Sequence, residues 1–180
     1  MIYITSDWHF GHSKPFIYQP RGFSSVEEMN EEIIAKHNEI VKPEDDVYVL
    51  GDLMLGCNEV GLRCIKNLKG NIHVIRGNHD TNARMELYNN CYNIVEIAEG
   101  KFLNYKDYHF YLSHYPCLTD NCDEHSPLKR RMINLCGHKH TQNIFEDFDK
   151  GLIYHCEVDA HDCYPVSIEE IIKDIKEIII

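Results

Sequence analysis

No CxxC pair occurs among the eight cysteines of this chain, Cys57, Cys64, Cys91, Cys117, Cys122, Cys136, Cys156 and Cys163. Nor does any apolar run reach a membrane-spanning length free of charge. With no basic and apolar leader at its start, the chain reads as cytoplasmic and off the membrane. In that compartment a disulfide framework is not expected, and most of the thiols read as small core residues. A zinc site at Cys117/Cys122 or Cys156/Cys163 is the sharper alternative, but spacings of five and seven match no standard finger. Basic residues are also scarce. Eighteen Lys and Arg against 29 Asp and Glu give a formal charge of -11, which works against counterion-driven binding to long DNA or RNA. No repeat, low-complexity tract or linker-like shift divides the chain, and 180 residues with 43% hydrophobic composition suit a single domain over residues 1–180.

What the chain does have is five short polar clusters, each just after an apolar, β-rich run. Ile2-Tyr3-Ile4 leads to Asp7-Trp8-His9, and Val47-Tyr48-Val49-Leu50 to Gly51-Asp52. Ile72-His73-Val74-Ile75 leads to Gly77-Asn78-His79-Asp80, Phe110-Tyr111-Leu112 to Ser113-His114, and the run Met132 to Cys136 to Gly137-His138-Lys139-His140. Runs this short read as strands that stop where polarity begins. Neighbouring strands that end together deliver their tips to one rim, which is where open α/β sheets gather ligands.

Helical signals lie between the strands. Ser24 and Ser25 precede Glu27 and Glu28 at capping-box spacing, and Met29, Ile33, Ile34, His37 and Ile40 recur at helical intervals before Pro43, which predicts a helix from Val26 to Val41. A second, over Asn58 to Leu68, ends at Gly70 and completes a βαβ rhythm up to Ile75. After Ile94 the runs Ile94–Ile97, Lys101–Tyr105 and His109–Leu112 follow closely, with Glu99-Gly100 and Lys106-Asp107 as turns, which favours antiparallel strands. Ser167 opens a last helix with Ile171, Ile172 and Ile175 on one side. The expected class is mixed α/β, two sheets with helices outside.

Read as chemistry, Asp7, His9, Asp52, Asn78, His114, His138 and His140 supply hard oxygens and imidazoles, the donors that a divalent ion needs in order to polarise a phosphate and activate water. Two donors at spacing two, as in Asp7/His9 or His138/His140, share a face if the chain is extended, or both turn inward if the strand has just become a loop. Gly51, Gly77 and Gly137 each stand directly before a candidate donor, where a missing Cβ permits a sharp turn and a close approach. Two bound divalent ions would also attract an anionic substrate despite the acidic balance of the chain.

The ordered set Asp7-x-His9, Gly51-Asp52, Gly77-Asn78-His79-Asp80, His114 and Gly137-His138-x-His140 resembles the calcineurin-like metallophosphoesterase superfamily over residues 1 to about 140. That resemblance implies a four-layer αββα sandwich, two mixed β-sheets flanked by helices, with a dinuclear centre of manganese, iron or zinc at the loop ends. Carried over by position, Asp7, His9 and His140 would hold one ion and Asn78, His114 and His138 the other, with Asp52 bridging and His79 as the acid. Leu53-Met54-Leu55-Gly56 stands where the protein Ser/Thr phosphatase branch has Asp-Arg-Gly, which argues against a protein phosphatase. The wording Asp7-Trp8-His9-Phe10-Gly11-His12, with Arg21-Gly22-Phe23 and Pro165-Val166-Ser167, is closer to small bacterial and phage phosphoesterases.

The function expected is a metal-dependent phosphoric ester hydrolase acting on a small or nucleotide-like diester. A hydroxide bridging two ions would be the nucleophile and His79 the general acid, with Asp80 a candidate for its orienting partner, although a neighbour in sequence need not be a neighbour in space. A phosphomonoesterase of the same fold is the alternative. A non-catalytic metal-binding scaffold, like the relative in eukaryotic membrane-coat assembly that lacks the acid histidine, is less favoured because His79 is present. His12 and Arg21, in or after the first loop, read either as contacts to the substrate phosphate or as solvated loop residues. His125, Lys129, Arg130 and Arg131 read mainly as a solvated stretch, and His155, Asp159, His161 and Asp162 are weighed as a weaker second ion site.

Overall fold

The computed structural model describes residues 1–117, 131–146 and 152–178. The apolar runs are strands, and their pairing decides where the polar tails go. β1 (Ile2–Thr5), β2 (Asp46–Val49), β3 (Asn71–Ile75) and β4 (Ile94–Ala98) run parallel, and β10 (Val166–Ser167) adds to β1 antiparallel, giving the order β10-β1-β2-β3-β4. The second sheet is β5-β6-β7-β9-β8, from β5 (Lys101–Tyr105), β6 (Tyr108–Leu112), β7 (Met132–Cys136), β8 (Phe145–Glu146) and β9 (Leu152–His155). β6, β7 and β9 are parallel in it, while the two edge strands are antiparallel. The architecture is therefore mixed α/β with two mixed sheets and helices, as expected.

The antiparallel reading after Ile94 is corrected in part. Of those three runs only the last two, β5 and β6, form a hairpin; β4 closes the first sheet parallel to β3, and β6 and β7 are parallel. The Glu99-Gly100 turn joins two sheets, and nothing in the local composition distinguishes that from a hairpin turn.

Helix α2 (Val26–Ile40) starts as its capping box demands: Ser25 Oγ accepts from Glu28 N at 3.1 Å, and Glu28 accepts from Ser24 N at 2.7 Å. α3 (Asn58–Lys66) follows β2, and two short helices went unread, α1 (Pro15–Tyr18) and α4 (Asn82–Tyr88). Met29 and Ile33 of α2, Cys64 and Ile65 of α3 and Tyr88 of α4 form one buried cluster with Val47, Val49, Ile72 and Val74, so these helices cover the outer face of the first sheet. Ile4, Tyr48, Leu50 and Ile75 point the other way, into a second cluster with Phe110, Leu112, Ile133 and Leu135 that fills the space between the sheets. The period of two along β1–β3 creates both layers.

Helix α5 (Ile168–Ile178) departs from the expectation of helices outside. Because β10 pairs on the edge next to β1 and α5 follows at once, Ile171, Ile172 and Ile175 join the cluster between the sheets with Leu152 and Tyr154, and Tyr154 Oη donates to Asp174 at 2.8 Å. Among the described residues no helix is long and apolar enough to cross a membrane. His125, Lys129, Arg130 and Cys122 lie outside the described residues.

One buried group ties the fold to pH. His37, on the last turn of α2, is 1% exposed, and its Nε2–H donates to the Lys69 carbonyl at 2.9 Å. Burial pulls its pKa from 6.5 down to about 4, against the partial support of that carbonyl. The unfolded chain thus takes up a proton that the folded chain refuses. Stability present above about pH 6.5 is lost as pH falls through about 4, up to on the order of 3 kcal/mol. In urea unfolding with chelator present, His37→Gln is expected to lose roughly 2 kcal/mol less than the native chain between about pH 7 and 4.5.

Candidate metal centre

The chain turns sharply at each strand tip, and the turns fall on the candidate ligands. Of the eight described non-glycine residues with positive φ, five are Asp7 (58°), His9 (51°), Asp52 (55°), His138 (76°) and His140 (50°). The left-handed region costs about 1–2 kcal/mol per residue and persists only where the surroundings hold it. Its effect is to curl the loop so that donors two apart, Asp7 with His9 and His138 with His140, both face the rim. Of the two arrangements left open by their spacing, the turned one is observed.

Glycines make the convergence sterically allowed. A Cβ on Gly51 would stand 2.6 Å from Gly77 Cα and 2.6 Å from His114 Nδ1; one on Gly77 would fall on Asp52, and one on Gly137 on Ser6 and Asp7. Only Gly51 of the three needs a positive φ, 95°. The other two are small because a neighbouring carboxylate occupies the place of their side chain.

The donors form two groups with Asp52 between them. In the first, His9 Nε2 and His140 Nε2 are 3.0 Å apart and lie 3.8 and 3.6 Å from Asp7 Oδ1. In the second, His114 Nε2 is 2.7 Å from Asn78 Oδ1 and 3.2 Å from His138 Nδ1. Asp52 Oδ2 is 3.7 Å from His9 Nε2 and 3.7 Å from His114 Nε2, a position between the groups. The donor atoms of Asp7, His9 and His140, and those of Asp7, Asp52 and His114, each lie within 4.8 Å of one another. Donors about 2.1 Å from one cation stand ~3.0–3.5 Å apart, the spacing of these imidazole pairs.

The polar bookkeeping of the site fits bound cations. Asp7 is fully buried; its Oδ2 accepts from Ser6 Oγ and from His138 N at 2.9 Å, but Oδ1 has no partner. A buried carboxylate oxygen left bare is costly unless a charge meets it. Burial raises the Asp7 pKa to about 6, and burial beside His140 and Arg21 lowers that of His9 to about 2, so the unprotonated imidazole is favoured there. His114 Nδ1 donates to the Leu50 carbonyl at 2.8 Å and His140 Nδ1 to Asp159 Oδ2 at 3.0 Å, which leaves Nε2 of each as a lone pair facing the cluster. Asp7, His9 and His140 would hold one cation and Asn78, His114 and His138 another, with Asp52 reaching both.

His79 stands apart from these groups. Its side chain is 42% exposed, its backbone N–H donates to Asp52 Oδ1 at 2.8 Å, and its Nε2 is 3.9 Å from Asp52 Oδ2. Asp80, expected to orient that imidazole, instead accepts from Asp52 N at 2.7 Å, Gly77 N at 2.9 Å and Tyr88 Oη at 2.8 Å. It braces the Asp52 loop, because the tight turn at Gly77 sends its carboxylate inward.

Arg21 is likewise not a free phosphate contact. Its side chain is 2% exposed and is spent on Asp159 (2.9 and 2.8 Å) and on the carbonyls of Asp7 (2.8 Å) and Trp8 (3.2 Å). Asp159 holds both Arg21 and His140, and those bonds keep its carboxyl well below the usual range in spite of burial. The weaker second ion site does not assemble. His155 lies between Glu146 and Glu157, His161 donates to the His155 carbonyl, and Asp162 meets Lys36 at the surface. Cys156 and Cys163 are free thiols, as are all the described cysteines. His12 does face the cleft, 5.9 Å from His9 ring to ring.

A two-sheet sandwich with Asp, Asn and His donors at its loop ends is the plan of a metal-dependent phosphoesterase. The chain belongs to the calcineurin-like phosphoesterase superfamily, whose domain model matches residues 1–156. It is similar to the uncharacterized protein MJ1445 of Methanocaldococcus jannaschii, at 33% identity over 181 residues that cover 98% of this chain and 92% of that one. The crystal structure of a protein of unknown function from Aquifex aeolicus, AQ665, superposes with a TM-score of 0.74 at 26% identity, covering 96% of this chain and 98% of that one.

The bare Asp7 oxygen gives a test. Folded, its carboxyl has a raised pKa, so above about pH 6 its ionisation penalises the metal-free fold. Asp7→Asn, whose amide can donate to the facing imidazoles, is expected to raise metal-free stability at about pH 8 by roughly 1–2 kcal/mol while losing most of the stabilisation that manganese gives the native chain. Thermal unfolding with chelator and with manganese measures both; a variant less stable in both would show that the carboxylate is structural.

Proposed function

We propose that this phosphoesterase hydrolyses a small, nucleotide-like phosphodiester, with two cations held by the seven donors and with His79 supplying the proton to the departing oxygen. Manganese, iron or zinc all match a mixed oxygen and imidazole donor set. A cation pair held there would supply an activated water and offset the charge that builds on the phosphate oxygens. The chain's own part is placement. Asp52 ties the two donor groups together, Asp80 fixes the Asp52 loop from behind, and Asp159 sets the ring of His140. His79 carries the catalytic reading: it is the part-exposed imidazole on the cleft, anchored through its backbone to Asp52 but outside both donor groups, free to hold a proton at Nε2 and pass it to an ester oxygen.

A small ester accords with the formal charge of -11, which disfavours long nucleic acid. Free thiols accord with a cytoplasmic location. The presence of His79 favours turnover over a scaffold role.

The expected activity is manganese-dependent hydrolysis of bis-nitrophenyl phosphate with little dependence on salt. His79→Ala should keep manganese binding and lose about 10²–10⁴-fold in kcat on an ester with an alkoxide leaving group, but under about tenfold on a nitrophenolate, which departs without a proton. Equal losses on both would remove the acid role.

A further inference from the structure

The cleft beside the donors encloses about 460 Å³, within the ~300–1,000 Å³ of small-ligand pockets, and it has two unlike walls. His9, His140 and His79 form the polar wall, and Phe16, Ile17, Pro20 and Leu55 the apolar one. Phe16 is 69% exposed on α1, a single turn with no buried residue. Its ring meets the edge of the His12 ring at 5.4 Å and 71°, and His12, 7% exposed, is fixed by the Lys14 N–H on its Nδ1 at 3.3 Å. The segment is pinned at both ends: Phe10 N donates to the Leu53 carbonyl and the Phe10 carbonyl accepts from Leu55 N (3.1 and 3.1 Å), and Arg21 is clamped on Asp159. An aromatic face is thus held open to solvent on the cleft that His9, His79 and His140 also line. No lysine or arginine lines the cleft among the described residues, while Asp159 does, so a second phosphate would meet no cation there.

We infer, building on the phosphoesterase reading above, that the alcohol of the ester on the His79 side carries a neutral planar ring of nucleobase size that lies on Phe16. The substrates are then mononucleoside-type esters rather than sugar phosphates, phospholipid headgroups or pyrophosphate-linked compounds. A ring stacked on an aromatic side chain gains about ten- to hundredfold in affinity, and Phe16 offers the exposed face that such stacking uses.

Calorimetry on the manganese-loaded protein tests this with adenosine 5′-monophosphate, ribose 5-phosphate and adenosine 5′-diphosphate. The mononucleotide should bind at least about tenfold tighter than ribose 5-phosphate, and the diphosphate no tighter than the monophosphate. Phe16→Ala should bring the first ratio near one, and Phe16→Trp should restore it. Equal affinities in the native chain, a ratio unmoved by Phe16→Ala, or tighter binding of the diphosphate would overturn the inference. Hydrolysis of bis-nitrophenyl phosphate on the same preparation separates the two readings. Turnover without ring discrimination sinks the ring site alone, and ring discrimination without turnover sinks the phosphodiesterase reading alone.

Discussion

The two sheets meet over a carboxylate. Asp7 leaves the end of β1 in a left-handed turn, and its Oδ2 takes the backbone N–H of His138 from the end of β7, so that one side chain bonds the tip of the first sheet to the tip of the second. His114 does the reverse, reaching from the end of β6 to the Leu50 carbonyl after β2. The Leu50 bond is buried and the His138 bond partly so, and both are made by side chains whose remaining polar atoms point into the cluster. The fold's closure at this end and the assembly of the donors are therefore one event. A chain that failed to bring the donors together would also take these partners from the His138 N–H and the Leu50 carbonyl, at about 1–3 kcal/mol each.

That arrangement carries a cost, which is met from behind the site. Five donors in left-handed backbone add up to several kcal/mol of strain against a net stability of only ~5–15 kcal/mol for a domain. The bracing is visible in Asp80, which holds Asp52 N and Gly77 N and is itself held by Tyr88, a fully buried residue of the outer helical layer. The short helix α4 matters for this reason: it carries Tyr88 into the core cluster and so anchors the loop that presents Asp52 and Asn78. On the other side, Arg21 and Asp159 do the same for Asp7 and His140.

What could be read from the sequence follows the range of the signal. The donors were legible because each stands at an abrupt switch from an apolar run to a polar tip, a pattern contained within about ten residues. Helix α2 was legible from its capping box and periodic face. The direction in which Asp80 and Arg21 point was not legible because their partners are far away in sequence: Asp52 is 28 residues from Asp80, and Asp159 is 138 from Arg21. Motif position shows that a carboxylate or guanidinium is near a site and says nothing of which way it points. The parallel placement of β4 and the inward position of α5 depend on which edge of a sheet is free, which no local pattern encodes. Helix α4 was missed because its seven residues, Asn82 to Tyr88, are too few to display a period.

Charge draws these strands together. The chain is strongly acidic, and Arg21, close to the donors, is committed to Asp159 and to strand-end carbonyls, so among the described residues the cleft is lined by almost no fixed positive charge. An anionic ester approaching the metal-free site would meet Asp7, Asp52 and Asp159. Affinity for phosphate must then come from the cations, and affinity for one ester over another must come from whatever else the cleft offers. Within the cleft that His79 helps to line, that is the apolar surface of Phe16, Ile17, Pro20 and Leu55. On the proposed reading, the scarcity of basic residues that first argued against long nucleic acid would reappear at the site as a division of labour, with metal for the phosphate and aromatic surface for the group it is attached to.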